Sequence, residues 1–205
     1  MKSMTKFIIE LKEPLKETFK TESGLELWAN KDFSVDRLSN RIAKVVSAPL
    51  KHDSVIKEGY EVMFEPTILY KQIYQGWTQH YTALVDQKNM LFELAPSMII
   101  LYRATKNEEW KGYMGNCLLE PIKDEVPKSS FLILPDNHVS TYKKGKAIVK
   151  YSNTELNELG VLEGDEVLIG TEFINGANGV KFWIDGKEYW WVRNCDIMAI
   201  VEKVA

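Results

Sequence analysis

A nine-residue phrase occurs twice in this chain. Ile56-Lys57-Glu58-Gly59-Tyr60-Glu61-Val62-Met63-Phe64 and Val161-Leu162-Glu163-Gly164-Asp165-Glu166-Val167-Leu168-Ile169 both read apolar, x, Glu, Gly, x, Glu, Val and an apolar pair. They lie 105 residues apart in a chain of 205. Other segments keep the order. Phe7–Glu13 matches Cys117–Lys123, Leu25-Glu26-Leu27 before Asn30 matches Leu132-Ile133-Leu134 before Asn137, and Asp86–Phe92 matches Asp185–Trp191. The offsets drift from 110 through 107 and 105 to 99, as loop insertions and deletions produce. The pattern predicts one small domain built twice, 1–104 and 105–205. Function is then to be sought in what the halves share.

Both halves read as strands. Short alternating or apolar runs are separated by Gly, Pro, Asn and Asp, and long helical periodicity is absent, so the expected class is all-β. The expected strands are Lys6–Glu13, Arg41–Ser47, Glu61–Tyr70, Tyr81–Asp86, Asn89–Leu94 and Met98–Arg103, then Gly115–Lys123, Lys146–Tyr151, Glu166–Gly170, Val180–Ile184, Glu188–Val192 and Ile197–Glu202. Asp185-Gly186 has the composition of a tight hairpin turn, where positive φ is required. Asn153–Leu159 can form one helical turn. The polar stretch Thr105–Lys111 joins the halves.

Each half also holds one long segment that fits no strand, roughly Glu17–Ser39 and Asp124–Lys144. Loops longer than about 12–15 residues are uncommon in compact domains and tend to be functional or disordered. Each carries a short apolar cluster, Leu25-Glu26-Leu27 in one and Leu132-Ile133-Leu134-Pro135 in the other. An apolar loop cluster is costly in water unless something binds it. The bland alternatives are a core strand Phe131–Leu134 stopped by Pro135, and a half-buried strand with Leu25 and Leu27 alternating around Glu26.

Composition narrows the partners. With 45% hydrophobic and 27% charged residues the chain is an ordinary globular one, and a net charge of −3 gives no field to attract nucleic acid. The longest apolar runs are too short to span a bilayer. Phe7-Ile8-Ile9 is cut at once by Glu10, so there is no signal-peptide core and a cytoplasmic location is expected. Cys117 and Cys195, each placed on an expected strand, read as free, inert thiols of a reducing compartment.

No catalytic signature is legible. His52, His80 and His138 are scattered without metal-ligand spacing, and there is no phosphate loop, nucleophile elbow or Cys-x-x-Cys pair. Glu163 and Asp165 around Gly164 read as a turn entering a strand. Trp190 and Trp191 are adjacent, so on a strand they face opposite sides, one toward the core and one toward a neighbour. The cluster Ile73–Tyr81, with Tyr74, Trp77 and Tyr81, is an aromatic insertion without a second-half equivalent.

The ordered set of motifs resembles the GroES-type co-chaperonin family, here in tandem. The second half carries the likeness over nearly all of 115–205: an apolar loop cluster Leu132-Ile133-Leu134-Pro135, then Gly145-Lys146-Ala147-Ile148-Val149, then Val161-Leu162-Glu163-Gly164-Asp165-Glu166-Val167, then a terminal hairpin Asp185–Arg193 and Asp196–Glu202. The first half matches more loosely over 5–104, with Gly24-Leu25-Glu26-Leu27 at the loop position and Gly59 at the motif glycine. The resemblance implies two GroES-like small β-barrels and a cytoplasmic lid, assembled as a homo-oligomeric ring, that caps a GroEL-type chaperonin. The chaperonin would supply the ATPase, so this chain is expected to be no enzyme and to need no cofactor and no metal. Leu132, Ile133 and Leu134 would be the main chaperonin-binding anchor, with Leu25, Glu26 and Leu27 as the second. Ser47–Val55 and Tyr151–Gly160 are too short for the roof hairpin that bacterial members often carry, so an open-topped dome is expected. Two other classes fit the residues: a virion or assembly component reusing the barrel, and a ligand-binding β-module centred on Trp77. The fold also resembles the catalytic domain of zinc alcohol dehydrogenases, but neither a nucleotide domain nor zinc ligands are present.

Overall fold

In the computed structural model, residues 2–15, 18–20, 26–28, 39–51, 53–69, 71–74, 78–124, 142–170, 180–184 and 187–201 are described. The chain divides into two compact units, Met1–Trp110 and Lys111–Ala205. Both are all-β and antiparallel, as the alternation of short runs predicts.

The first unit holds β1 (Phe7–Glu10), β2 (Thr18–Lys20), β3 (Glu26–Trp28), β4 (Ile42–Ser47), β5 (Glu61–Phe64), β6 (Lys71–Tyr74), β7 (Thr78–Tyr81), β8 (Leu84–Asp86), β9 (Leu91–Leu94) and β10 (Ile99–Arg103). Its main sheet runs β10-β5-β4-β1-β9-β8, and β2-β3 and β6-β7 form separate two-stranded ribbons. The second unit holds β11 (Lys111–Gly112), β12 (Asn116–Lys123), β13 (Tyr142–Tyr151), α1 (Thr154–Glu158), β14 (Glu166–Ile169), β15 (Val180–Ile184), β16 (Lys187–Arg193) and β17 (Ile197–Ile200). Its sheet runs β17-β14-β13-β12-β16-β15.

The two orders are the same path through equivalent strands. Irregularities of register recur at equivalent places: between Ile8 and Ile9 and between Leu118 and Leu119, and again where β10 and β17 meet β5 and β14. The repeated phrase forms the same turn in each unit. Gly59 and Gly164 have φ of 89° and 90°, a left-handed conformation that only glycine adopts without strain. Register also corrects one sequence match. Ile9 pairs with Phe92 and Leu119 with Trp190, so Phe92 corresponds to Trp190, not Trp191. The cause is the hairpin: four residues separate Asp86 from Leu91, but only Asp185 and Gly186 stand between the paired Ile184 and Lys187. The conformation of Asp185 and Gly186 themselves lies outside the described residues.

Burial alternates on β4, β9 and β14, whereas β1, β5, β10 and β12 carry consecutive buried residues. Phe7, Ile9, Val62, Phe64, Phe92, Leu94 and Ile99 line the first core. Cys117, Leu119, Ala147, Val149, Leu156, Val167, Ile169 and Val192 make the second, with Trp190 and Ile197 packed against it. The expected strand Glu61–Tyr70 stops at Phe64, because Pro66 cannot donate to a ladder and opens a 3-10 turn, Pro66–Leu69. Between β13 and β14 the connection is the short helix α1, capped by Asn153, whose side chain accepts from the Leu156 amide. A roof hairpin is therefore missing there, as its length required.

Candidate functional site

Both long segments leave the sheet at the same joint, between β1 and β4 in one unit and between β12 and β13 in the other. Their roots are held. In the first unit Leu15 bridges Ser39, and the Asn40 amide donates to the Pro14 carbonyl at 2.9 Å. In the second, Lys123 stands opposite Tyr142, so the ladder closes directly on 125–141.

The expected anchors fall differently. Leu132, Ile133 and Leu134 lie outside the described residues, as does Leu25. Glu26 and Leu27 lie on β3, opposite Lys20 and Phe19 of β2. The expectation that the first segment fits no strand is corrected there. Leu27 and Trp28 are residue types that favour strands, and β2 supplies the ladder partner, with Phe19 opposite Leu27.

Around the root of 125–141 the side chains make a connected group. The Tyr142 ring meets Trp190 edge to face, with centroids 5.5 Å apart at 88°. Lys181 Nζ lies 6.0 Å from the Tyr142 centroid and 3.0 Å from Glu188 Oε1. The same Glu188 oxygen accepts from the Trp190 indole Nε1 at 3.1 Å. Trp191, on the opposite face, donates Nε1 to Asn116 Oδ1 at 3.0 Å and lies edge-on to Phe182. Lys187 is 2.6 Å from Glu120, and this carboxylate raises the lysine pKa above its ordinary value.

A second polar network ties the connections of the unit together. Asn153 Nδ2 donates to the Asn116 carbonyl at 2.9 Å and to Asn194 Oδ1 at 2.7 Å, and Asn194 Nδ2 donates to Glu155 Oε2 at 2.8 Å. These contacts join residues 37 to 41 positions apart, and no periodicity or local motif announces such pairs.

Glu163 and Asp165 serve the turn, as expected. Glu163 Oε1 accepts from the Ser152 amide and Asp165 Oδ2 from the Leu162 amide. Among the described residues no group of His, Cys, Asp or Glu could hold a metal ion, and no helix is long and apolar enough to cross a membrane. The reading of Cys195 is corrected. It sits in the 3-10 turn Asn194–Asp196, exposed, while Cys117 is buried in the core. Exposed apolar side chains gather at the edge strand β17, where Met198 is 73% and Ile200 40% exposed. Among the described residues, β17 has β14 as its one ladder partner.

No protein-family model matches the chain. Over an alignment of 90 residues the chain is 31% identical to the co-chaperonin GroES of Rhodothermus marinus, a match that covers 42% of this chain and 85% of that protein.

Proposed function

This chain belongs to the GroES co-chaperonin family, and from that premise we propose that it is a cytoplasmic lid for a GroEL-type chaperonin, built from two GroES-like barrels in tandem. The observation that carries the reading is the shared joint. In two sheets with one strand order, the same pair of adjacent strands is connected by a long segment whose sequence carries an apolar cluster. In the sequence of the second segment that cluster falls near the middle of 125–141.

Leu132, Ile133 and Leu134 are the main anchor in this reading, and Leu25 and Leu27 with Glu26 are the second. Burying an aliphatic side chain contributes about 1.5–3 kcal/mol. Ordering backbone costs roughly 1–2 kcal/mol per residue fixed. One loop therefore binds weakly, and a ring gains tightness by presenting several loops together. Such contacts release readily, as a lid that departs in each ATPase cycle requires. The chaperonin provides the ATP hydrolysis.

Ring assembly has a surface to use. β17 offers a sheet edge with Met198 and Ile200 exposed, which invites a further strand or apolar partner from a second copy. The helix α1 in place of a roof hairpin fits a dome open at the top.

The test is a pull-down with a GroEL-type chaperonin and nucleotide, read out by negative-stain microscopy. A capped ring is expected. The double variant L132A/L134A should lose capping and refolding assistance while keeping its melting transition. A capped ring formed equally well by that variant would reject the anchor. No cap from the native chain, with chaperonin ATPase unaffected, would favour an assembly protein that reuses the barrel.

A further inference from the structure

We propose that Tyr142, Trp190, Lys181 and Glu188 form a clamp that fixes the C-terminal root of the 125–141 segment and so positions its apolar anchor for the partner. This rests on the docking reading above. Tyr142 is the first described residue after that segment and the last rung of the β12–β13 ladder. Its ring meets Trp190 edge to face, and the Lys181 ammonium lies 6.0 Å from its centroid. Trp190 is itself immobilised. It pairs with Leu119 and Lys181 across two ladders, packs on the core, and donates to Glu188, which also holds Lys181.

The first unit uses the equivalent position differently. Phe92, which corresponds to Trp190, places its ring against Tyr81 at 5.6 Å, on the β6–β7 ribbon. The root of its long segment is closed by the Leu15–Ser39 bridge and a backbone hydrogen bond. So the aromatic contact that serves a neighbouring ribbon in one unit serves the segment's root in the other. A root fixed before binding lowers the ordering cost of binding, which is how preorganisation raises affinity. The clamp makes the second segment the dominant anchor and makes Tyr142 a positioning residue that need not touch the partner.

The experiment measures binding of the full chain to an immobilised GroEL-type ring with nucleotide, beside a synthetic peptide of residues 125–141. Tyr142→Ala should weaken binding about five-fold, the scale of one lost aromatic pair. Tyr142→Phe, which keeps the ring, should bind like the native chain. Lys181→Ala should fall between them. The peptide, being monovalent, reports only whether the segment docks at all. A folded Tyr142→Ala chain that binds as tightly as the native one overturns the clamp. Should Tyr142→Ala fail to fold, an unchanged affinity of Lys181→Ala overturns it instead. Peptide binding together with unchanged variants sinks the clamp alone. If neither peptide nor native chain binds, the docking reading falls and the clamp with it.

Discussion

The amide of Gly164 donates to the carbonyl of Val149 across 2.8 Å, and in the other unit Gly59 and Val45 repeat the bond at the same length. The return bonds match too, from Val45 to the Tyr60 carbonyl at 2.8 Å and from Val149 to that of Asp165 at 2.9 Å. Each glycine thus closes the entry to β5 or β14 in a left-handed conformation. A Cβ at either position meets nothing within 4 Å, so backbone strain is the whole cost of adding one. Gly59→Ala and Gly164→Ala should each lose about 1–2 kcal/mol, and by similar amounts. Urea denaturation of the two variants checks this; a loss confined to one of them would break the equivalence of the turns.

Arg103 should not be replaceable by lysine. Its Nε and a terminal nitrogen reach the same Glu61 oxygen at 2.8 and 2.6 Å, another nitrogen reaches the Lys106 carbonyl, and the guanidinium stacks 4.2 Å from the centre of the buried Trp110 ring. A lysine cannot span those acceptors and stack at once. Arg103→Lys is expected to cost about 2 kcal/mol and to open 104–110 to limited proteolysis. A cleavage pattern identical to that of the native chain would count against the clasp.

The strands were legible as short apolar runs bounded by Gly, Pro, Asn and Asp, and the turn at Gly164 because Glu-Gly recurs in a fixed setting; its left-handed backbone is seen only in the structure. Trp190 was harder. The match that began at the turn Asp185-Gly186 was one residue out, since the paired hairpins differ in length and only ladder register reveals it. The end of β5 was missed because Phe64 and Ile68 continue an apolar run through Pro66. In the candidate site, Tyr142 carried no signal at all. Its role depends on Trp190 and Lys181, which arrive from a distant hairpin. Leu132, Ile133 and Leu134 lie outside the described residues, so their anchor role stays a proposal drawn from the apolar run and the family resemblance.

The two thiols should separate chemically. Burial first, and the Asp196 carboxylate second, push the Cys117 thiol up from 9.0 to about 12, whereas Cys195 is exposed. A disulfide-exchange reagent should therefore titrate one thiol in the native chain and both in guanidinium. The linkage has a definite sign. The folded pKa is raised, so this group's contribution to stability is constant below pH 9 and is lost as pH rises toward 12. Cys117→Ala should flatten that alkaline decline; a decline of unchanged steepness would refute the assignment.

Asn153 gives the sharpest substitution test, because its amide works in both directions. Its oxygen accepts the Leu156 amide at 3.0 Å and caps α1, while its nitrogen donates to the Asn116 carbonyl and to Asn194 Oδ1. The residue is 3% exposed, so water cannot replace a lost partner. Asn153→Ala removes the cap and leaves two acceptors unsatisfied, a loss of about 3 kcal/mol. Asn153→Asp keeps a cap of equal quality, yet turns a carboxylate oxygen toward the Asn116 and Asn194 oxygens. If capping alone mattered, aspartate would restore stability. The network requires the opposite: Asn153→Asp should be at least as destabilised as Asn153→Ala at pH 7, and should recover in part on acidification, when a protonated carboxyl can donate again. Denaturation midpoints of both variants at pH 7 and pH 4 decide it.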